Sequence, residues 1–282
     1  MVPSPQAAPA FVRLAAHPLR WRLLTELAGS DYRVRELVSL VGEPQNLVSY
    51  HLRLLRDSGL VTAQRSSFDA RDSYYHLDLE RCAHALAATG AALHPALRLG
   101  PGPASPSGPA PVHPASPSGP GPASLFASGP ASPSGAGSAR RTAVLFACTG
   151  NSARSPIAEA LLRHRAGGRV EVTSAGSDPR QRLHPDAVRV LRERYGIDLA
   201  GQRPRHLDTM AGRRFDYVIS LCDRVREVCP DFGDHSRRVH WSIPDPAAPG
   251  GAGPPAFART AAEIDTRIHY LLPQLTPQED QP

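Results

Sequence analysis

From Gly100 to Ala139 the chain contains no Asp, Glu, Lys or Arg and repeats the unit ASPSG from Ala104, Ala115 and Ala131. Such a stretch has little apolar surface to bury. Its prolines favour extended segments that its glycines interrupt, so it reads as a disordered linker. Treated as a coil it spans on the order of 35 Å. The 282 residues are thereby divided into a domain of residues 1–99 and a domain of residues 140–282. Each is long enough to bury a core of its own, and two separate cores are expected.

The second domain is organised around Cys148 to Ser155, CTGNSARS. Before it, Thr142 to Ala147 is the unbroken apolar run of a strand covered on both faces. After it, Ser155 is placed to cap a helix whose first position is Pro156 and whose apolar residues are Ile157, Ala158, Leu161 and Leu162. That order puts Thr149, Gly150, Asn151, Ser152 and Ala153 at a helix N-terminus. With Gly150 at positive φ their amides turn inward as an anion nest. Arg154 is spaced to close over a tetrahedral oxyanion with its planar fork. The same positive surroundings favour a thiolate, so Cys148 is expected to be nucleophilic near neutral pH, with Ser155 donating a hydroxyl to its sulfur.

Beyond this loop, strands are expected at Val170–Thr173, Tyr217–Leu221 and Val239–Ile243, and helices at Pro185–Tyr195 and Ala261–Leu272. This alternation implies an α/β parallel sheet with ligands at the carboxyl ends of its strands. Cys148, Cys222 and Asp245 each follow a strand and so share one rim.

Residues 1–99 read differently. Apolar positions recur at helical spacing from Ala10 to Leu27, broken at His17–Pro18, then in Val34–Val41 and Gln45–Ser58. Leu60–Gln64 and Ser73–Leu79 flank a polar tip and form a hairpin, and a helix runs from Leu79 to His94. The result is an α+β winged helix-turn-helix. Gln45, Asn46, Ser49, Tyr50 and Arg53 crowd the outward face of the third helix, where base edges and phosphates are met, and Arg65 and Arg71 on the wing hold flanking backbone. This half carries 11 Arg against 9 Asp and Glu, a net +2, so DNA binding rests on that local patch rather than on the overall field.

All the basic residues are Arg, with no Lys, and the formal net charge is +6. The four cysteines, at 82, 148, 222 and 229, are too few and too scattered for a secreted disulfide scaffold. No apolar run is long enough to span a bilayer, and the start of the chain has no signal-peptide core, so no membrane association and a cytoplasmic location are expected.

C-x5-R followed by Ser resembles the signature of low-molecular-weight tyrosine phosphatases and of the arsenate reductases that share their fold. Leu221-Cys222-Asp223 and Cys229-Pro230 resemble the LCDxxxxxCP pattern of thioredoxin-type arsenate reductases, with Trp241 also where those enzymes have one; tyrosine phosphatases lack the cysteine pair. This resemblance implies that Cys148 attacks arsenate while Arg154 and the loop amides hold the charge. Asp245, in WSIPDPA, protonates the departing oxygen. Cys222 then attacks Cys148 to release arsenite, and Cys229 takes over the disulfide for an external thiol reductant such as thioredoxin. No tightly bound cofactor is implied. Two other readings stand beside it: a tyrosine phosphatase tethered to a repressor, and a regulator whose C-terminal domain only senses oxyanion or redox state.

NLVSYHLRLLRDSGLV, followed by Arg65 and YYHL, closely resembles the ArsR family of small dimeric repressors, which implies a homodimer on operator DNA. Its usual metalloid site is excluded, because RVRELVSL carries no cysteine. Cys82, His84 and His94 are loosely like the interfacial zinc site of other members. In the catalytic half, Ala153 replaces the second loop cysteine that both families often have. Asn151, Glu159 and Ser174 match a potassium site of the reductases, but Arg203 to Arg205 is basic where an acidic ligand is expected. Finally, Asp223 to Val228 suits a short helix, which separates Cys222 and Cys229 by about 10.5 Å. A disulfide needs Cα atoms within about 7 Å, so the bridge requires that helix to unwind.

Overall fold

The computed structural model describes residues 7–97, 140–199, 201–249 and 253–276, and the expected linker lies outside the described residues. In the N-terminal half, α1 (Ala10–Ala15) and α2 (Pro18–Gly29) part where expected, with His17 capping α2 by accepting from the Leu19 amide at 3.2 Å. α3 (Val34–Val41) stops at Gly42, whose φ of 67° places it in the left-handed region that glycine enters without strain. α4 (Gln45–Asp57) follows, then the hairpin β2 (Val61–Arg65) and β3 (Ser73–Leu77). α5 (Leu79–Leu93) is capped by Asp78, which accepts from the Arg81 amide. A third strand, β1 (Tyr32–Arg33), pairs with β3; two residues are too short for any periodicity to reveal.

The C-terminal half comprises β4 (Thr142–Cys148), α6 (Arg154–Ala166), β5 (Val170–Gly176), α7 (Pro185–Tyr195), β6 (Tyr217–Ser220), α8 (Asp223–Val228), β7 (Arg237–His240) and α9 (Pro254–Leu275). Its sheet is parallel throughout, in the order β5-β4-β6-β7. The chain leaves β4 for β5 on one side and returns to β6 on the other, so a crevice opens at the carboxyl end of β4. α6 lies between sheet and α9 and is buried from Arg154 through Leu162, which explains its lack of an amphipathic pattern. Phe146, Ile157, Phe257 and Ile264 are fully buried in this core, each stabilising it by about 1.5–3 kcal/mol.

Several expected boundaries moved. α9 begins at Pro254 rather than Ala261, because prolines at its first two positions have no amide to leave unpaired. β7 stops at His240 rather than Ile243, since the Ile243 amide turns back to the Trp241 carbonyl.

The two apolar clusters are separate, as expected. The halves nevertheless meet across a buried polar interface that no local pattern announces. Asp31 accepts both oxygens' worth of hydrogen bonding from Arg267, at 2.9 and 3.1 Å, and also accepts from the Ser242 amide. Ser30 and His240 exchange hydrogen bonds beside them.

Candidate active site

Cys148 ends β4 with its sulfur 2.9 Å from the Ser155 hydroxyl. The helix starts two residues earlier than expected, at Arg154, so Ser155 lies inside its first turn and is not the cap. Its hydroxyl is taken by the sulfur and by Asn151 Nδ2. The cap position is Ala153, with no side-chain cap, which leaves the first amides of the helix free for a ligand. Positive φ falls on Asn151, at 41°, and not on Gly150. Asn151 is held there because Oδ1 accepts from the Arg205 amide while Nδ2 bonds Ser155 and Ser174. Gly150 is needed for space, since a Cβ would press on Arg180 and Ser152 at 3.3 Å.

Arg154 is almost wholly buried. Its Nη1 donates to the Ile243 carbonyl at 3.0 Å and its Nη2 lies 3.4 Å from Asp245 Oδ2. Asp245 itself is exposed, on a turn closed by the Ala247 amide. Thr149 Oγ1 lies 3.3 Å from Cys222 Sγ, and Cys222 is buried. Cys148, Thr149, Gly150, Ser152, Ala153, Arg154, Cys222 and Asp245 line one cavity of about 970 Å³. Cys229 is only partly buried and lines a different cavity, on the other side of α8.

Burial pushes the Cys148 thiol above its ordinary value, against the opposite pull of the Arg154 guanidinium and the Ser155 hydroxyl. Burial thus opposes the thiolate expected near neutral pH, and the guanidinium and the Ser155 groups favour it. Burial also raises the Cys229 thiol, opposed by Arg238.

Asn151, Glu159 and Ser174 do come together, but the place of a cation is taken. Glu159 is buried, and its carboxylate is met by the Arg205 and Arg163 guanidiniums, by Ser174 at 2.5 Å and by Gln202 at 2.8 Å. An added potassium ion does not fit a carboxylate already so paired. Cys82, His84 and His94 do not assemble either: among the described residues no group of three His, Cys, Asp or Glu could hold a metal. Burial pushes the Cys82 thiol up to about 11.

On the N-terminal half, Gln45, Asn46, Tyr50 and Arg53 are exposed on α4, Ser49 is half-buried, and Arg65 and Arg71 are exposed on the hairpin. Two features of the site had gone unread. Gly176 lets the loop lie on β5, because a Cβ there would collide with the Thr149 carbonyl and the Asn151 amide; the SAG ending of the strand was its only signal. Ser67 and Phe68, from the hairpin tip of the other half, line the catalytic cavity, and no local pattern could announce a contact across some 80 residues of chain to Cys148.

A thiol, a guanidinium and free helix amides converging at the switch point of a parallel sheet define a cysteine-dependent oxyanion enzyme, here joined to a winged-helix DNA-binding module. Residues 143–281 match the model of the low molecular weight phosphotyrosine protein phosphatases and residues 17–63 that of bacterial regulatory proteins of the arsR family. Arsenate reductases of Brevibacillus brevis and Bacillus anthracis are each 38% identical over 125 residues, which is 44% of this chain and 90% of theirs. Among solved structures, the thioredoxin-dependent arsenate reductase of Corynebacterium glutamicum is similar at 34% identity over 49% of this chain and 63% of that one, with a TM-score of 0.42. The chain belongs to the arsenate reductase family, on the low-molecular-weight phosphatase fold, and carries an ArsR-family helix-turn-helix domain at its N-terminus.

Proposed function

We propose that this protein reduces arsenate to arsenite through Cys148, Cys222 and Cys229 and binds operator DNA through residues 1–99. The observation that carries the first part is the convergence of Cys148, Arg154, Cys222 and Asp245 on one cavity, with Cys229 beyond a short helix from Cys222. Arsenate enters the loop with its oxygens on the helix amides and Arg154. Cys148 attacks arsenic, its proton passing to the oxyanion, and Asp245 protonates the oxygen that leaves as water. Cys222 attacks Cys148, and arsenic departs with the electron pair as arsenite. Cys229 attacks Cys222, so the bridge passes to a place where a thioredoxin-like carrier reduces it. The test is arsenite formation by the whole protein with a thioredoxin system, beside an aryl phosphate. Phosphate release without arsenite formation would turn the reading to a phosphatase.

Arg205 stands in for a cation, so the reaction proceeds equally in sodium and potassium buffers. Arg205→Ala removes the guanidinium from Glu159 while keeping the main-chain amide on Asn151, and introduces a potassium requirement. Rates of both proteins across a potassium titration check this; a requirement in the unaltered protein would return the ion to the site.

For DNA, the exposed row on α4 supports reading of a major groove, and a homodimer through α1 and α5 supports a palindromic site. α5 has no buried residue, and it leaves Leu86 and Leu93 exposed. Arg53→Ala is expected to weaken binding by about 1–3 kcal/mol, read as a shifted midpoint in a gel-shift titration against its own promoter. Affinity falls steeply with salt in both proteins.

A further inference from the structure

We propose that the reductase domain is also the sensor of this regulator: α8 is the surface on which the wing docks, and closing the Cys222–Cys229 disulfide releases the wing for DNA. The inference rests on the cysteine relay above and gives that relay a second output.

Each turn of α8 is tied to the N-terminal half. Asp223 Oδ2 accepts from Ser66 Oγ and the Ser67 amide, both at 2.9 Å. Arg226 pairs with Glu36 at 2.9 Å and lies over the Tyr74 ring, and Glu227 pairs with Arg33 at 3.2 Å. Ser66 and Tyr74 are buried by this contact region, and Phe68 reaches the catalytic cavity. The partners are thus the hairpin tip, β3, β1 and α3, the elements that carry or brace the wing.

The same six residues are those that oxidation must rearrange. α8 is intact between Cys222 and Cys229, and seven helical residues span about 10.5 Å, beyond the roughly 7 Å a disulfide allows. The electrons balance as follows. Arsenate takes two electrons from the Cys148 and Cys222 thiols, giving arsenite, water and a Cys148–Cys222 disulfide. The Cys229 thiolate attacks Cys222 Sγ and frees Cys148 as a thiolate. Once α8 loops out to allow this, Asp223, Arg226 and Glu227 leave their partners together.

The opposite edge of the interface touches α8 only through the His240 and Ser242 side chains on Asp223, and its own bonds use other groups. Ser30 and Asp31 are bound to His240, Ser242 and Arg267 on β7 and α9 and its neighbouring loop, so they hold while the wing edge opens. Ser30 and Tyr32 also line the cavity that contains Cys229. The docked domain therefore stands over the thiol that the carrier must approach, and opening serves reduction as well.

The sign of the effect on DNA follows from competition. A hairpin tip whose serines donate to Asp223 must give up those bonds before it lies along a phosphate backbone, so only the undocked fraction is binding-competent. Oxidation raises that fraction, and DNA in turn favours the unwound α8 by the same factor.

The test compares the full chain reduced, after one equivalent of arsenate without carrier, and as Cys148→Ser oxidised by diamide. Diamide takes two electrons and two protons from Cys222 and Cys229 without arsenate, and mass spectrometry maps the bridge. Amide exchange over residues 66–72 and 223–228, and anisotropy with a duplex of its own promoter, are read at fixed salt. In both oxidised forms the Ser67 amide is expected to exchange about tenfold faster and DNA to bind about tenfold tighter. Release by diamide with no effect of arsenate would sink the arsenate reading and keep the switch. Faster exchange in α8 with the wing and the DNA affinity unchanged would sink the switch and keep the relay. Reduced Asp223→Asn is expected to loosen the wing as oxidation does; wing exchange equal to that of the unaltered reduced protein would also overturn the proposal.

Discussion

Cys148→Ser abolishes arsenate reduction, lowering the rate by roughly 10⁴-fold or more, because a serine hydroxyl at this site has neither the nucleophilicity nor the redox chemistry of a thiol. The structure gives this residue no substitute: it ends β4 with its sulfur on the Ser155 hydroxyl and amide, whereas the Cys222 sulfur lies against Thr149. Cys229→Ser behaves differently. Cys148 and Cys222 remain, so one arsenite per chain is released in a burst and turnover then stops, since the bridge cannot leave the buried pair. Arsenite counted per chain, with carrier oxidation followed in parallel, separates the two variants. Sustained turnover by Cys229→Ser with the usual carrier would remove the relay from the mechanism.

Arg154→Lys lowers kcat by about 10²–10³-fold while leaving the fold in place. A lysine carries the same charge but cannot present two parallel N–H groups to the oxyanion and also reach the Ile243 carbonyl and Asp245, as Arg154 does. The loss is expected in kcat and kcat/KM together, because the second donor matters most as charge builds in the transition state. Circular dichroism and melting temperature serve as controls for folding. A variant that loses only arsenate affinity, with kcat intact, would make Arg154 a binding residue and nothing more.

Acid should loosen the interface between the halves before it unfolds either. Burial by itself would raise the Asp223 carboxyl, but hydrogen bonds from His240, Ser242 and the Ser67 amide hold it well below the usual carboxylate range. A depressed carboxylate contributes stability above its unfolded value, near 3.8, and that contribution fades as pH falls further.

Much of this molecule was legible from local pattern. The break at His17–Pro18, the stop at Gly42, the apolar run of β4 and the length of α8 follow from backbone sterics and burial period, which act over a few residues. Cys148 and Arg154 were legible because both belong to one loop, and loop length alone sets the distance between them. What failed locally failed for a reason of the same kind: the glycine of the loop was read as the residue at positive φ, whereas Asn151 takes that conformation because Arg205, Ser155 and Ser174 pin its amide from other elements.

The sequence by itself thus determined most of the strands and helices of each half and the place of the anion loop between a strand and a helix, since hydrophobic period and short-range geometry are local properties. Only the tertiary structure decided that Arg205 answers Glu159, that burial opposes Arg154 at the Cys148 thiol, and that Ser66 and Ser67 reach Asp223 across 157 and 156 residues of chain. Those are sums of desolvation and charge over groups that meet in space and not in sequence, and a hydrogen bond between a serine and an aspartate leaves no periodic trace in either segment.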